Sequence, residues 1–271
     1  MKELAGRKLI LILGIPFGIG CYLIGNPIFA VVTTIVMLGG LDEFYSICEK
    51  KGGHPNRIFG FIITLLIAVS YSGIYAHHQI TIMGIICLSV ISVFFIEIIN
   101  KKEEPLLNIS TTFLGILFVP CLLGTIIYLR QMDHIYNSNV VLALFLSVWF
   151  ADIAAFFFGT KWGKKKIVPM ICPKKSWVGS ISGFLASLLV FILFHELGFL
   201  GARYSLLDSV TFGVISGIFS QLGDFSESLL KRDVGVKDSG NLLRGHGGIL
   251  DRFDGLLLSV PFIYSYLYLI S

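Results

Sequence analysis

Charge is scarce in this sequence, and the scarcity defines its class. Only 14% of the 271 residues are Asp, Glu, Lys or Arg, whereas roughly a quarter are charged in ordinary soluble domains. Hydrophobic residues make up 55% of the chain and aromatic residues 13%. Because this number of charged residues is too small to cover the surface of a soluble globular protein, the composition predicts an integral membrane protein.

Cysteine pairs and zinc motifs are also missing. The five cysteines are scattered, and none forms a CxxC pair, so we predict neither a disulfide framework nor a zinc site. His195-Glu196 has no second histidine at the zinc-helix spacing, because position 199 is Phe. We expect no nucleic-acid partner.

Long apolar runs are what the sequence does contain. A bilayer core about 30 Å thick needs about 20 mostly apolar residues as a helix, which satisfies its backbone polar groups internally. Nine segments qualify, at roughly 8–25, 26–47, 57–76, 79–99, 110–130, 138–160, 176–197, 206–223 and 251–270. We therefore predict an all-α, polytopic integral membrane protein with about nine transmembrane helices.

Basic residues lie almost entirely on one side of this arrangement. With the lysine-rich loop 161–175 in the cytoplasm, 19 of the 21 Lys and Arg residues fall on that side, leaving Arg130 and Arg203 outside. The positive-inside rule then predicts a cytoplasmic N-terminus and an outer C-terminus. The outer loops are too short to hold a domain, so we expect the chemistry in a polar cavity that faces the cytoplasm.

One stretch, Gly223 to Gly255, concentrates the charge. It carries eleven of the charged residues and lies between the apolar segments 210–222 and 256–270. Asp251 and Asp254 are three apart where the last span begins, so they share one helix face. Asp224 ends the preceding span, at the end of a polar stripe of Ser216, Ser220, Asp224 and Glu227.

If those two helices are neighbours, the three aspartates converge. Like charges at a membrane boundary are costly unless cations neutralise them, and carboxylate oxygens suit Mg²⁺. The alternative is structural: the aspartates cap helices or pair with nearby basic residues, namely Lys231, Arg232 and Arg252.

Two further segments are suited to phosphate. Gly245, Gly247 and Gly248 flank His246 before the final helix, and a glycine-rich turn there exposes N–H groups for an anion. His246 would donate to phosphate or cap the turn. The segment Pro173-Lys174-Lys175-Ser176-Trp177 places two ammonium groups and a hydroxyl at a helix start. It predicts a polyphosphate cradle, although polybasic loops also serve as topology determinants or lipid contacts.

The roles of three acids inside spans remain open. Asp152 precedes the basic loop and is either a further cation ligand or a paired structural charge. Asp42-Glu43, in the cytoplasmic half of the second span, allows the same two readings. Together, the acids, glycines and lysines indicate a nucleotide polyphosphate, a divalent ion and a lipid-facing cleft, and thus phosphoryl or nucleotidyl transfer onto a lipid.

The pattern SxLKRxxxxKDxG…HGGxxDRxD, from Ser228 to Asp254, resembles the signature of the phosphatidate cytidylyltransferases, or CDP-diacylglycerol synthases. We call Ser228–Asp254 the signature segment. The upstream pattern Asp152…Phe158-Gly159…Gly163-Lys164…Pro173-Lys174-Lys175-Ser176-Trp177…Gly179 resembles a second block of that family. Arg244, Cys172 and Ser176 depart from its common proline, serine and threonine, and Arg244 puts the turn geometry before HGG in doubt.

The resemblance implies transfer of CMP from CTP to phosphatidate. The cofactor would be Mg²⁺, and a second cation is left open. The protein would be a multi-pass homodimer of the cell inner membrane. The resemblance also implies an N-terminal transmembrane region, 1–137, and a C-terminal catalytic region, 138–271. The metal ligands would be Asp224, Asp251 and Asp254, with Asp152 as a further candidate. The predicted catalytic set adds Lys237 and His246 to these three aspartates. The predicted substrate contacts are Lys174, Lys175, Ser176, Lys231, Arg232, Asp238, Asn241, Gly247, Gly248 and Arg252.

Two other functions fit the residues less closely. A CTP-dependent lipid kinase needs a similar site but transfers the γ-phosphoryl group. A cation-coupled transporter would use intramembrane carboxylates near the bilayer midplane, whereas these acids cluster at one end of their spans beside basic residues. The pattern of CDP-alcohol phosphotransferases is absent from the sequence.

Overall fold

The computed structural model describes residues 26–73, 82–101, 103–135, 139–240 and 247–270. Across these residues every regular element is helical, and the predicted all-α fold is confirmed. We number the helices in chain order: α1 (Asn26–Lys50), α2 (Arg57–Tyr71), α3 (Ile82–Asn100), α4 (Pro105–Ile116), α5 (Thr125–Ile135), α6 (Val140–Trp162), α7 (Trp177–Glu196), α8 (Leu206–Asp233) and α9 (Leu250–Ile270).

Seven of the described segments are long and apolar enough to cross a bilayer. They are α1, α3, the combined segment Pro105–Met132, α6, α7, α8 and α9. Large apolar side chains on these helices are exposed, such as Phe156 at 73%, as expected where a surface faces lipid. A polytopic membrane protein is confirmed. α2 has 15 residues and the predicted span 8–25 lies outside the described residues, so the total of nine stays a prediction.

Helix boundaries follow local capping signals. The Asn56 side chain accepts a hydrogen bond from the Phe59 N–H at 3.0 Å and caps α2. The α8 helix continues past the predicted end at 223 to Asp233, and Gly235, with a φ of 71°, follows it. The first charged residues of the signature segment are therefore helical.

The predicted span at 110–130 is interrupted. A π-helical turn, Leu117–Cys121, contains Pro120, which has no N–H to continue the helical hydrogen bonds. The Tyr71 hydroxyl donates to the Cys121 carbonyl at 2.9 Å. Local π-helical adjustments are one way in which apolar spans accommodate proline.

The chain forms two compact units. One comprises the chain up to Tyr128 together with Val234–Arg252, and the other comprises Leu129–Asp233 and the chain from Phe253 onwards. Val234–Arg252 therefore packs with the N-terminal helices although it follows α8 in sequence. The predicted division into regions 1–137 and 138–271 is functional and stays a prediction.

In the first unit, α1 is held against α4 by buried polar contacts. The Tyr45 hydroxyl donates to the Thr112 carbonyl at 3.0 Å, and the Asn56 N–H donates to the Thr112 hydroxyl at 2.8 Å. These bonds fix the C-terminal half of α1, which carries Asp42 and Glu43.

In the second unit, α6, α7 and α8 pack through small residues. The hydroxyls of Ser147 and Ser216 lie 2.6 Å apart, and the Ser187 hydroxyl donates to the Gly213 carbonyl at 3.3 Å. A Cβ on Gly213 would lie 2.8 Å from the Leu188 Cα. Small residues let the helix backbones approach closely, which fixes the position of α8.

Candidate active site

Gly223 lets α8 and α9 come together in the second unit. A side chain on Gly223 would overlap the main-chain carbonyl of Asp254. A Cβ on Gly255 would lie 3.4 Å from the Ser220 Cβ. Because Gly223 lacks a side chain, the helices touch beside Asp224 and Asp254. The sequence left open whether these two spans are neighbours, and at Asp224 and Asp254 they are.

Four acids are close enough to interact there, and we call Asp152, Asp224, Glu227 and Asp254 the acidic cluster. Asp254 experiences Coulombic repulsion from Asp224, and also from Glu227 and Asp152. Its Oδ1 accepts a hydrogen bond from the Gly255 N–H at 2.7 Å. Like charges this close favour a bound cation.

Lysines supply positive charge to this cluster. The Lys175 ammonium pairs with Asp224 and lies 4.1 Å from the centroid of the Phe225 ring. The Lys231 ammonium lies 2.8 Å from the Glu227 carboxylate, and both side chains are largely buried. Lys175, which was predicted to bind phosphate, therefore neutralises Asp224, which was predicted to bind metal. Lys231 neutralises Glu227, which was not among the predicted metal ligands.

The lysine-rich loop after α6 folds onto the end of α8. The Trp177 N–H donates to the Lys165 carbonyl at 3.1 Å, and an isolated antiparallel bridge joins Lys166 to Ser176. The Arg232 Nε donates to the Ile171 carbonyl at 3.3 Å. These contacts hold the loop beside α8, where Lys175 pairs with Asp224.

Two other residues of the predicted cradle have different surroundings. Lys174 is exposed. Ser176 is 2% exposed, and its hydroxyl accepts a hydrogen bond from the Gly179 N–H at 3.2 Å as the N-cap of α7. One acceptor position of the hydroxyl oxygen is therefore used to cap α7, and the contact of the hydroxyl with phosphate stays a prediction.

Asp251, in the first unit, caps its own helix. Its Oδ2 accepts hydrogen bonds from the Gly248 N–H at 2.7 Å, the Ser239 N–H at 2.9 Å and the Ser239 hydroxyl at 3.0 Å. The structural alternative thus holds for this oxygen. A carboxylate offers about four acceptor positions, so capping and metal binding are compatible, and the metal role stays a prediction.

Glu43 is a site residue whose role sequence reasoning left open. It is 7% exposed, and its carboxylate accepts hydrogen bonds from the Ile249 N–H at 2.8 Å and the Leu250 N–H at 2.9 Å. The Ser239 hydroxyl donates to it at 2.9 Å. An acid inside an apolar span was the available signal, but its partners lie some 200 positions away. Asp42 pairs with Arg57 instead.

The remaining predicted residues have varied positions. Lys237, Asp238 and Arg252 are exposed. Gly247 has a φ of 77°, and a Cβ there would lie 2.6 Å from the Asp251 Oδ2. Asn241 and His246 lie outside the described residues. Substrate contacts by these residues stay predictions.

No group of three or more His, Cys, Asp or Glu is placed to hold a metal ion among the residues that the structure describes. Mg²⁺, however, is usually held by one or two carboxylates and completes its coordination with water and substrate phosphates. Asp224 and Asp254 supply oxygen ligands of this kind beside a repulsive cluster. The donor set fits Mg²⁺, which stays a prediction.

Comparison with known proteins gives matches along nearly the whole chain. A family model described as the cytidylyltransferase family matches residues 6–270. A phosphatidate cytidylyltransferase from Synechocystis is 29% identical over 96% of this chain and 94% of its own length. One from Bacillus subtilis is 33% identical over 71% of this chain and 69% of its own length.

A third relative, from Haemophilus influenzae, has the same name. It is 38% identical over 171 residues, which are 62% of this chain and 59% of that protein. Higher identity over a shorter stretch means that similarity is concentrated in part of the chain.

Proposed function

This chain belongs to the cytidylyltransferase family, and from that premise we propose that it is a phosphatidate cytidylyltransferase. The reaction transfers CMP from CTP to phosphatidate and yields CDP-diacylglycerol and pyrophosphate. The observation that carries the proposal is the acidic cluster joined to Lys175 and Lys231 where α8 and α9 touch. Acids for a cation and lysines for phosphates are what this transfer needs.

The chemistry requires placement more than proton transfer. A phosphomonoester has a second pKa of about 6, so phosphatidate is largely dianionic at neutral pH and needs no general base. A phosphatidate oxygen attacks the α-phosphorus of CTP, and the bond to the β-phosphate oxygen breaks in line. The protein must orient the two phosphates and stabilise the charge on leaving pyrophosphate.

Residues of the second unit can do this work. Asp224 and Asp254 would hold Mg²⁺, which supplies charge stabilisation to the phosphates when bound. Lys175 pairs with Asp224 in this structure, so its ammonium is already positioned next to that carboxylate. Its attraction to anionic substrate places a CTP phosphate beside the same two aspartates.

Replacing Lys175 by Ala tests the cradle. A charge-assisted hydrogen bond contributes about 1.5–3 kcal/mol, so we expect kcat/KM for CTP to fall about 10- to 100-fold, since 1.36 kcal/mol corresponds to tenfold. A CTP titration with purified enzyme in detergent measures this.

Lys161→Ala is the matched control for that substitution. Lys161 begins the same basic region, but its ammonium lies 4.8 Å from the centroid of the Trp162 ring. We expect a wild-type CTP titration. If Lys175→Ala also behaves like wild type, Lys175 serves topology or lipid contact instead.

The position of the radiolabel in the product tests the reaction itself. Purified protein would receive phosphatidate with CTP labelled at either the α- or the γ-phosphate, with Mg²⁺ or with EDTA. We expect the α-label in CDP-diacylglycerol, the γ-label in pyrophosphate, and no transfer in EDTA. A lipid kinase supplied with diacylglycerol would instead place the γ-label in lipid. Solute uptake by vesicles without any nucleotide reaction would indicate a transporter.

The protein is a multi-pass membrane protein, and we further propose that it lies in the cell inner membrane as a homodimer with its N-terminus and active site cytoplasmic and its C-terminus outside. The distribution of Lys and Arg supports the orientation, and the family resemblance supports the dimer. Labelling single cysteines introduced near each terminus in intact cells tests the orientation, with labelling of the outer position only as the expected result.

A further inference from the structure

No residue immediately before the last helix has a side chain that could cap it. The residues that lead into α9 are Gly247, Gly248 and Ile249, none of which has a polar side chain. The first N–H groups of a helix have no partner within it and need an acceptor from elsewhere. In this protein the acceptors are carboxylates.

Glu43 supplies the cap from α1. Its Oε1 accepts from the Ile249 N–H, and its Oε2 accepts from the Leu250 N–H. Asp251, in the first turn of α9, accepts from the Gly248 N–H at 2.7 Å. Three consecutive amides at the start of α9 are thus satisfied by two acids, and negative charge at this end is favourable.

Two glycines make room for the Glu43 carboxylate. A Cβ on Gly240 would lie 2.5 Å from the Glu43 Oε1. A Cβ on Gly248 would overlap both the Glu43 carboxylate and the Ser239 hydroxyl. Both ends of the 240–248 stretch are therefore shaped around one acid of α1.

Ser239 connects Glu43 to Asp251. It is 4% exposed, and its hydroxyl oxygen lies 2.9 Å from the Glu43 Oε2 and 3.0 Å from the Asp251 Oδ2. One hydroxyl carries one hydrogen, so it donates to one of the two acids at a time. Its N–H donates to Asp251 at 2.9 Å, so Ser239 and Glu43 together restrict the Asp251 side chain.

We propose that Glu43 is a positioning residue for the transfer reaction: it fixes the start of α9 and, through Ser239, the orientation of Asp251. This inference rests on the proposed function and on the prediction from the sequence that Asp251 is a further metal ligand. Residues that orient metal ligands typically change metal affinity or activity by about 10- to 100-fold when replaced. Glu43 acts through Asp251 and does not touch substrate in this assignment.

The test compares Glu43→Gln with Asp42→Asn in the full-length protein. Gln keeps the size but only one accepting oxygen, whereas Asp42 is the adjacent acid on the same helix and pairs with Arg57. For Glu43→Gln we expect kcat to fall about 10- to 100-fold, a higher Mg²⁺ concentration at half-maximal rate, and a KM for CTP within about threefold of wild type. Asp42→Asn should match wild type in all three.

Hydrogen exchange supplies a readout that does not depend on the reaction. In Glu43→Gln, peptides that contain Ile249 and Leu250 should exchange at least roughly fivefold faster, because their amides lose a buried acceptor. Ser239→Ala keeps both Glu43 bonds to the helix, so it should slow turnover without faster exchange at these amides.

Wild-type kcat and Mg²⁺ dependence in Glu43→Gln, or loss of activity only in proportion to unfolded protein, would overturn the proposal. So would unchanged exchange at Ile249 and Leu250. If the wild-type protein makes no CDP-diacylglycerol, the proposed function fails, whereas the exchange result still reports whether Glu43 holds the helix start.

Discussion

Asp254→Asn is expected to reduce CDP-diacylglycerol formation by about a thousandfold or more. A bound metal ion contributes several kcal/mol of transition-state stabilisation, which is lost when a ligand that holds it is removed, and each 1.36 kcal/mol corresponds to tenfold in rate. Asp254 is next to Asp224 where α8 and α9 touch, and it is repelled by three other acids. Under the proposed function, removing its charge weakens the binding of the cation that brings the two phosphates together.

The same substitution should not harm the fold. Without Mg²⁺, it relieves repulsion within the acidic cluster, so the melting temperature in detergent should equal or exceed that of wild type. A radiolabelled product assay and a thermal melt in EDTA measure the two effects. High activity at saturating Mg²⁺ would remove Asp254 from the ligand set.

Asp208→Asn is the matched control. Asp208 lies on the same helix as Asp224 but in the first turn of α8, where the Tyr266 hydroxyl donates to it at 2.6 Å. It is remote from the acidic cluster along the 28-residue helix. Its replacement should leave turnover near wild type. That result would show that the loss of activity in Asp254→Asn comes from the site and not from removing any carboxylate of a membrane-spanning helix.

Gly223→Ala should destabilise the protein strongly. At an unhindered helix position this change stabilises by up to about 1 kcal/mol. At Gly223 the added methyl group would overlap the main-chain carbonyl of Asp254, and a backbone atom cannot turn aside as a flexible side chain can. Overpacking of this kind costs about 1–3 kcal/mol, so the sign of the effect is reversed.

Thermal unfolding in detergent measures this, with an expected decrease in melting temperature of roughly 2–12 °C, since 1 kcal/mol shifts the melting temperature of a chain of this size by about 2–4 °C. Turnover should fall as well, because α8 and α9 must separate beside Asp224 and Asp254. Ser226→Ala, on the next turn of α8, removes only a bond to the Leu222 carbonyl and should shift stability by less than about 0.5 kcal/mol. Equal stability of Gly223→Ala and wild type would show that these helices do not touch at this glycine.

Local patterns predicted much of the fold. Apolar runs of bilayer length gave seven helices within the described residues, because helical hydrogen bonds form within one segment. The sequence showed that Asp224 and Asp254 would converge if the last two spans were neighbours, but it did not show that they are. It did not indicate that α8 continues to Asp233, because hydropathy marks where lipid ends and not where a helix ends.

Long-range contacts could not be predicted from the sequence. Gly248 was interpreted as a residue that leaves room for phosphate, and the structure shows that Glu43 occupies the space beside it. Asp251 was interpreted as a metal ligand, and it also caps α9. A glycine-rich turn is compatible with an anion from substrate or from the protein, and only coordinates distinguish the two.

The bond between α1 and the start of α9 also bears on how such enzymes can be recombined. A chimera that joins residues 138–271 to the first half of a distant relative contains the whole signature segment. The start of α9 is capped in that chimera only if the relative has a carboxylate at the position of Glu43. The residues at positions 43, 239, 240 and 248 should therefore be exchanged together when halves of these proteins are swapped.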